Sequence, residues 1–303
     1  MNSNLKVWTG LGLATALVGA GLAGCAGESG ENGEGGESAI AGEAGEGERG
    51  EGEGGEGEAG EGEGGETAGG EGGEGEGGEG EGGEGEGGVA VSSAATDAVV
   101  YGSALAIVEA HAIAARDAYA AGKTDAAAEM FAHPVSEVLA DMAPVFETLG
   151  VEDFTGAMTT ASEAALKADN EEAVNTAFGA IETALTDAAA KAPMSDKSNG
   201  AVAAGVVADQ IERAADMYGQ AAGNDAYGPY LDGYGFYKAA ASAFERNSAA
   251  IETYNSGLHS DIKAALDLLA TAYPGAERPA GLNVAQGKLL GASSKVNLGL
   301  PAS

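Results

Sequence analysis

Three patterns of polar and apolar positions follow one another along the 303 residues. The first is a short polar start, Met1 to Lys6, and then an apolar run of 15 residues from Val7 to Gly21. The second, residues 26–88, is built almost wholly of glycine and glutamate and offers no apolar set from which to build a core. The third, residues 89–303, is dominated by alanine, and its apolar positions recur every three or four residues. That period is helical, and strand-like alternation of β-branched residues is nearly absent, so this part reads as all-α.

Glycine, proline and small polar residues punctuate the third region into about eight helices of an antiparallel bundle. Thr96 and Asp97 can cap a first helix that ends at about Ala121 before Gly122, with Val100, Ala104, Ile107, Val108 and Ala115 on its apolar face. Thr124-Asp125 opens a short helix to Ala132, and Pro134 suits the first position of the next, which runs to about Leu149. Further helices are expected over 152–168, 170–191, 195–222, 228–256 and 260–272, with a weaker one over 284–296. An offset of 99 superposes Ile107, Val108, Asp117, Tyr119 and Phe131 on Val206, Val207, Asp216, Tyr218 and Tyr230. This is the trace an internal duplication would leave.

Charge sharpens the division. The chain has 48 acidic and 14 basic residues, for a net charge of −34. Residues 26–88 hold 21 Glu against the single Arg49, and residues 89–303 carry a further −15. Without apolar residues, the low-complexity Gly/Glu stretch is expected to be a disordered acidic linker. A neutral glycine-rich coil of that length spans roughly 45 Å, and like charges extend it further. Its carboxylates could hold hard cations only diffusely, since they lack a loop of fixed geometry. Both regions share one sign, which argues against nucleic acid and anionic membrane surfaces as partners.

The residues Leu22-Ala23-Gly24-Cys25, placed after the apolar run, closely resemble the lipobox of bacterial lipoproteins. The run is too short for a spanning helix and has the layout of a signal peptide. The resemblance implies that residues 1–24 are removed and that Cys25 is the lipidation site, carrying diacylglycerol and an N-terminal acyl chain such as palmitate. Two or more acyl chains anchor stably. Ala26, in place of Asp, implies the outer membrane, on its periplasmic face, with surface exposure left open. Cys25 is the only cysteine, so no intrachain disulfide can form. The expected organisation is therefore a signal peptide over 1–24, the lipidated cysteine and linker over 25–88, and the helical domain over 89–303.

Within the helical domain, the stretch IERAADMYGQAAGNDAYGPYLDGYGFYKAA resembles the periplasmic helical modules of bacterial iron uptake, imelysin-like proteins and the extracytoplasmic region of iron permeases. The resemblance implies an acidic helical bundle with a Tyr/Asp-rich helix pair, associated with metal uptake. The Gly-x-His-x-x-Glu and Arg-Glu-x-x-Glu motifs of those families are absent, so no ligand is carried over.

Two constellations could carry chemistry. If the helices holding His111 and His133 pair antiparallel, His111 approaches a cluster of His133 with Glu129 and Glu137, each four residues from it. Two imidazoles with carboxylates suit zinc, copper or iron. The bland alternative is a helix cap at His133 and a partly buried His111. Tyr227, Tyr230, Tyr234 and Tyr237 form one helical stripe, interleaved with Asp232, Gly233 and Gly235. The stripe reads first as core packing. Together with Tyr218, the group Tyr230, Asp232, Tyr234 and Tyr237 could instead line a polar pocket for Fe³⁺ or a small ligand. The two glycines point to close approach of another backbone or of a ligand. No nucleophile motif, phosphate loop or His-Glu-x-x-His is present, so no catalytic residue is assigned. The expectation is a membrane-anchored lipoprotein whose acidic module binds a divalent metal or iron, or meets a metal-transport partner. The rival is an envelope interaction protein with no small ligand.

Overall fold

The computed structural model describes residues 91–301; the expected signal peptide, the expected lipidation site Cys25 and the expected Gly/Glu linker lie outside the described residues. After a 3₁₀ turn, Val91–Ser93, helix α1 runs over Ala98–Ala120. The Asp97 carboxylate caps it by accepting from the Val99 and Val100 N–H groups at 2.7 and 3.3 Å. Gly122, at φ +76°, ends it. Helix α1 is apolar almost all round because it is the core helix, buried on most of its circumference.

The next two expected helices are one rod. Helix α2, Thr124–Pro134, passes through a π-helical turn, Val135–Leu139, into α3, Ala140–Leu149. Pro134 therefore lies inside the rod instead of opening a new helix. A proline removes one N–H and needs room at the carbonyl four residues back, both of which normally break a helix. Here the widened turn follows directly, and the Ala140 N–H reaches back five residues to the Val135 carbonyl. Ala127, Met130 and Phe131 before it and Val138, Met142 and Phe146 after it are all buried, so core packing holds both halves in line.

Helices α4, Thr155–Ala165, and α5, Glu171–Ala189, follow. Helix α6 spans Asn199–Gly223, capped by Ser198. Helix α7 spans Gly228–Tyr254, with Pro229 in its first turn. Helix α8, Ser256–Ala272, begins four residues before the expected start, because Asn255 alone both ends α7 and caps α8 through its side chain to Gly257 and Leu258 N–H. Helix α9, Gln286–Leu298, closes the described chain. With α2 and α3 counted as one rod, this gives eight helical bodies and no strand among the described residues.

The helices pack as two four-membered rings. In the first, α1 packs on α2, α2 on α4, α4 on α5, and α5 back on α1. In the second, α6 packs on α7, α7 on α8, α8 on α9, and α9 back on α6. The cyclic order is the same, and the offset of 99 carries α1 onto α6 and α2 onto α7. Helix α1 joins the rings by packing also on α6 and α7. Small residues let it come close: a Cβ on Gly235 of α7 would lie 2.5 Å from the Ala110 carbonyl oxygen and 3.0 Å from the Ala114 Cβ. The largest fully buried side chains, among them Tyr101, Phe131, Tyr218, Tyr230, Phe236 and Tyr273, fill what the alanines leave open. Each contributes on the order of 1.5–3 kcal/mol of burial.

Candidate metal centre

His111 sits in the middle of α1, 4 % exposed, where α1 meets both α2 and α7. Its Nδ1 lies 2.8 Å from the Ile107 carbonyl, one turn back. A carbonyl only accepts, so Nδ1 carries the hydrogen and donates it. In the neutral ring this leaves the Nε2 lone pair free of its own proton. That nitrogen stands 3.6 Å from Asp232 Oδ1 and 3.8 Å from Glu137 Oε2. Both separations exceed a hydrogen bond.

His133, from the last turn of α2, brings its ring to 5.9 Å from the His111 ring, tilted by 70°. Its Nδ1 is buried and makes no hydrogen bond. One ligand atom from each of His111, His133 and Asp232 lies within 4.8 Å of the other two. Phe236, one turn beyond Asp232 on α7, meets the His111 ring edge to face at 5.6 Å. Arg213 of α6 lies over the outer side of Phe236, 5.9 Å from its centroid. Burial pushes the His111 pKa down to about 4; His133 and Arg213 add to the fall, and the Ile107 bond opposes it. His111 is therefore neutral at pH 7, the form in which imidazole ligates metals.

The donor set is two imidazole nitrogens and one carboxylate, with the Glu137 carboxylate beside them. An ion with bonds of about 2.0–2.1 Å in tetrahedral geometry holds its ligand atoms roughly 3.3 Å apart. The His111–Asp232 and His111–Glu137 separations are a few tenths of an ångström wider, while the trio with His133 spans up to 4.8 Å, so His133 has the furthest to move to close around one ion.

Three of the four residues expected in a metal cluster, His111, His133 and Glu137, are thus brought together. Glu129 is not. It is exposed, in a shallow groove between α2 and α4 lined also by Asp125, Ala128, Ser162 and Leu166. Residues four apart drift about 40° around a helix, which turns Glu129 away from α1. Asp232 takes its place. In sequence Asp232 stands among the tyrosines, and no local signal ties it to a histidine 121 positions earlier. Its one mark is an acid that is 5 % exposed, in a helix turn beside the fully buried Leu231.

The tyrosines pack as core, the first of the two readings of their stripe. Tyr230 and Tyr234 are buried, and Tyr227 and Tyr237 half-buried, so the stripe is core. Their hydroxyls are engaged in holding loops and helices together. Tyr227 donates to the Ala276 carbonyl and Tyr230 to the Gly275 carbonyl, each at 2.8 Å. Tyr234 donates to Asp117 Oδ2 at 2.7 Å, and Tyr218 accepts from the Val284 N–H at 2.9 Å. Tyr237 stacks on Tyr273, whose hydroxyl donates to the Ala214 carbonyl. Burial pushes the Tyr230 hydroxyl up to about 12 and the Tyr273 hydroxyl higher still, away from the phenolate that iron would need. The third histidine, His259, pairs with Ser248 at 2.8 Å.

No family model matches the chain, and searches of curated proteins and of solved structures find no match to it.

Proposed function

We propose that this chain is a membrane-anchored periplasmic lipoprotein whose helical domain binds a divalent metal ion, zinc, copper or iron, between His111, His133 and Asp232, with Glu137 as a fourth donor. The convergence of three ligand atoms within 4.8 Å, two of them nearly closed off from water, carries this reading. The His133 Nδ1 is buried without a hydrogen bond, which is costly unless a ligand meets it. Mixed imidazole and carboxylate donors favour borderline metals over calcium and magnesium, which prefer all-oxygen shells. The anchor is Cys25, the glutamate-rich linker gives reach from the outer membrane, and an envelope or metal-transport protein is the partner in that compartment.

Two experiments test it. The mature chain carrying Cys25→Ser is titrated with Zn²⁺, Cu²⁺ and Fe²⁺ by calorimetry, beside the same chain with His111→Ala or His133→Ala. Micromolar or tighter binding that both histidine variants lose supports the site. Binding unchanged in both, or absent in the parent, sinks it, since the linker carboxylates are common to all three. In cells, Cys25→Ser should release the protein from membranes. Retention after a carbonate wash would end the anchor reading.

A further inference from the structure

The donors do not come from one ring of helices. His111 and His133 lie on α1 and α2 of the first ring, and Asp232 lies on α7 of the second. We propose that the ion, when bound, cross-links the two four-helix rings as a structural metal. The inference rests on the metal reading above.

Three observations favour a cross-link. The two donors that face each other across the ring boundary, His111 and Asp232, are the deepest, 4 % and 5 % exposed. An ion held between them ties α1 to α7. The more open donors, His133 and Glu137, lie together on the first ring, around the π-helical turn. Second, α1 and α7 are already as near as backbones allow at Gly235, one residue from the level of His111, so the site is set by main-chain packing. Third, beside the apolar packing, the polar ties across this seam are partly exposed: Tyr234 to Asp117, and Arg246 with Ser242 to Glu109. A partly exposed ion pair such as Arg246–Glu109 contributes little. A metal bridge between the buried His111 and Asp232 adds a stronger polar tie, and a site filled by protein ligands is structural rather than catalytic. Metal affinity then becomes stability of the ring pairing.

The test is hydrogen exchange on the mature Cys25→Ser chain, with linker intact, metal-free and zinc-loaded, with bound zinc measured in the same desalted samples. An opening that breaks the site is slowed by about 1 + [Zn²⁺]/Kd, so free zinc at 100 Kd slows it about 100-fold. The expected result is slowing of that order in both α1 around Ala110–Ala115 and α7 around Gly233–Phe236. Asp232→Asn keeps the side-chain shape. In that variant zinc should bind more weakly through the first-ring donors and slow exchange only in α1 and α2. Zinc bound to the parent with slowing confined to the first ring overturns the cross-link while leaving the metal site standing. Asp232→Asn that still gains protection in α7 also overturns it. No bound zinc in the parent removes both readings together. Should Asp232→Asn fail to fold, the parent comparison alone decides.

Discussion

Gly235→Ala adds one methyl group where α7 meets α1. It would stand 2.5 Å from the Ala110 carbonyl oxygen and 3.0 Å from the Ala110 carbonyl carbon. Carbon–oxygen contacts between helices start near 3.3 Å, so the helices must separate by about 0.8 Å. The opposing atoms are backbone and the Ala114 Cβ, which cannot swing aside. Overpacking of this kind costs about 1–3 kcal/mol, against which alanine returns up to about 1 kcal/mol of helix propensity. The net expectation is a loss of about 1–2 kcal/mol, read as a lower urea midpoint with unchanged slope. The separation also widens the gap between His111 and Asp232, which sits one turn from Gly235, so zinc affinity should fall. Gly179→Ala in α5 is the matched control, because nothing lies within 4 Å of its added methyl. That variant should gain up to about 1 kcal/mol. If Gly235→Ala is as stable as Gly179→Ala, the α1–α7 packing described here is wrong.

The metal-free protein should weaken in mild acid. His111 stays proton-free in the fold down to about pH 4, whereas an unfolded chain protonates it near 6.5. Between those values the unfolded state holds the extra proton, so the contribution is full above pH 6.5, declines as pH falls and is gone below about 4. It amounts to roughly 3 kcal/mol, and His111→Gln should flatten that part of a plot of urea midpoint against pH. A wild-type plot parallel to that of the variant would contradict it. Tyr234→Ala should cost about 3–5 kcal/mol through the lost burial. Tyr234→Phe, which removes only the hydroxyl facing Asp117, should cost about 1–2 kcal/mol; equal losses in the two variants would mean the ring is not core.

Helix placement was legible because glycine, proline and capping residues fall between alanine-rich runs whose local preferences the fold keeps. Legibility failed where tertiary packing overrode a local signal. Pro134 reads as a start, yet buried residues on both sides carry the helix through it. Asn255 is a one-residue joint too brief to stand out, so α8 begins earlier than Ser260. The pairing of His111 with His133 could be anticipated, since a three-residue loop forces α1 and α2 to be neighbours. Asp232 could not, because nothing in the order of residues says that α1 lies against α7. The spacing of the tyrosine stripe predicts a helix face, but where its hydroxyls go depends on distant chain: a loop 49 and 45 residues on for Tyr227 and Tyr230, and Asp117 of α1 for Tyr234.

Helix α1 is long and apolar enough, by composition, to cross a membrane, although 72 % of that stretch is buried in the fold. Before folding it has no such shelter. An exported chain, as proposed here, passes α1 through a translocation channel where apolar segments can slip sideways into lipid. A carboxylate near the middle of a span adds roughly 2.5–3.5 kcal/mol to insertion, and Glu109 lies there, with Arg116 and Asp117 further along. In a chain exported as proposed, Glu109 and Asp117, which join α1 to α7 in the fold, would act first as a passport through the channel. Replacing them with leucine to tighten the folded interface would turn a core helix into a stop-transfer segment.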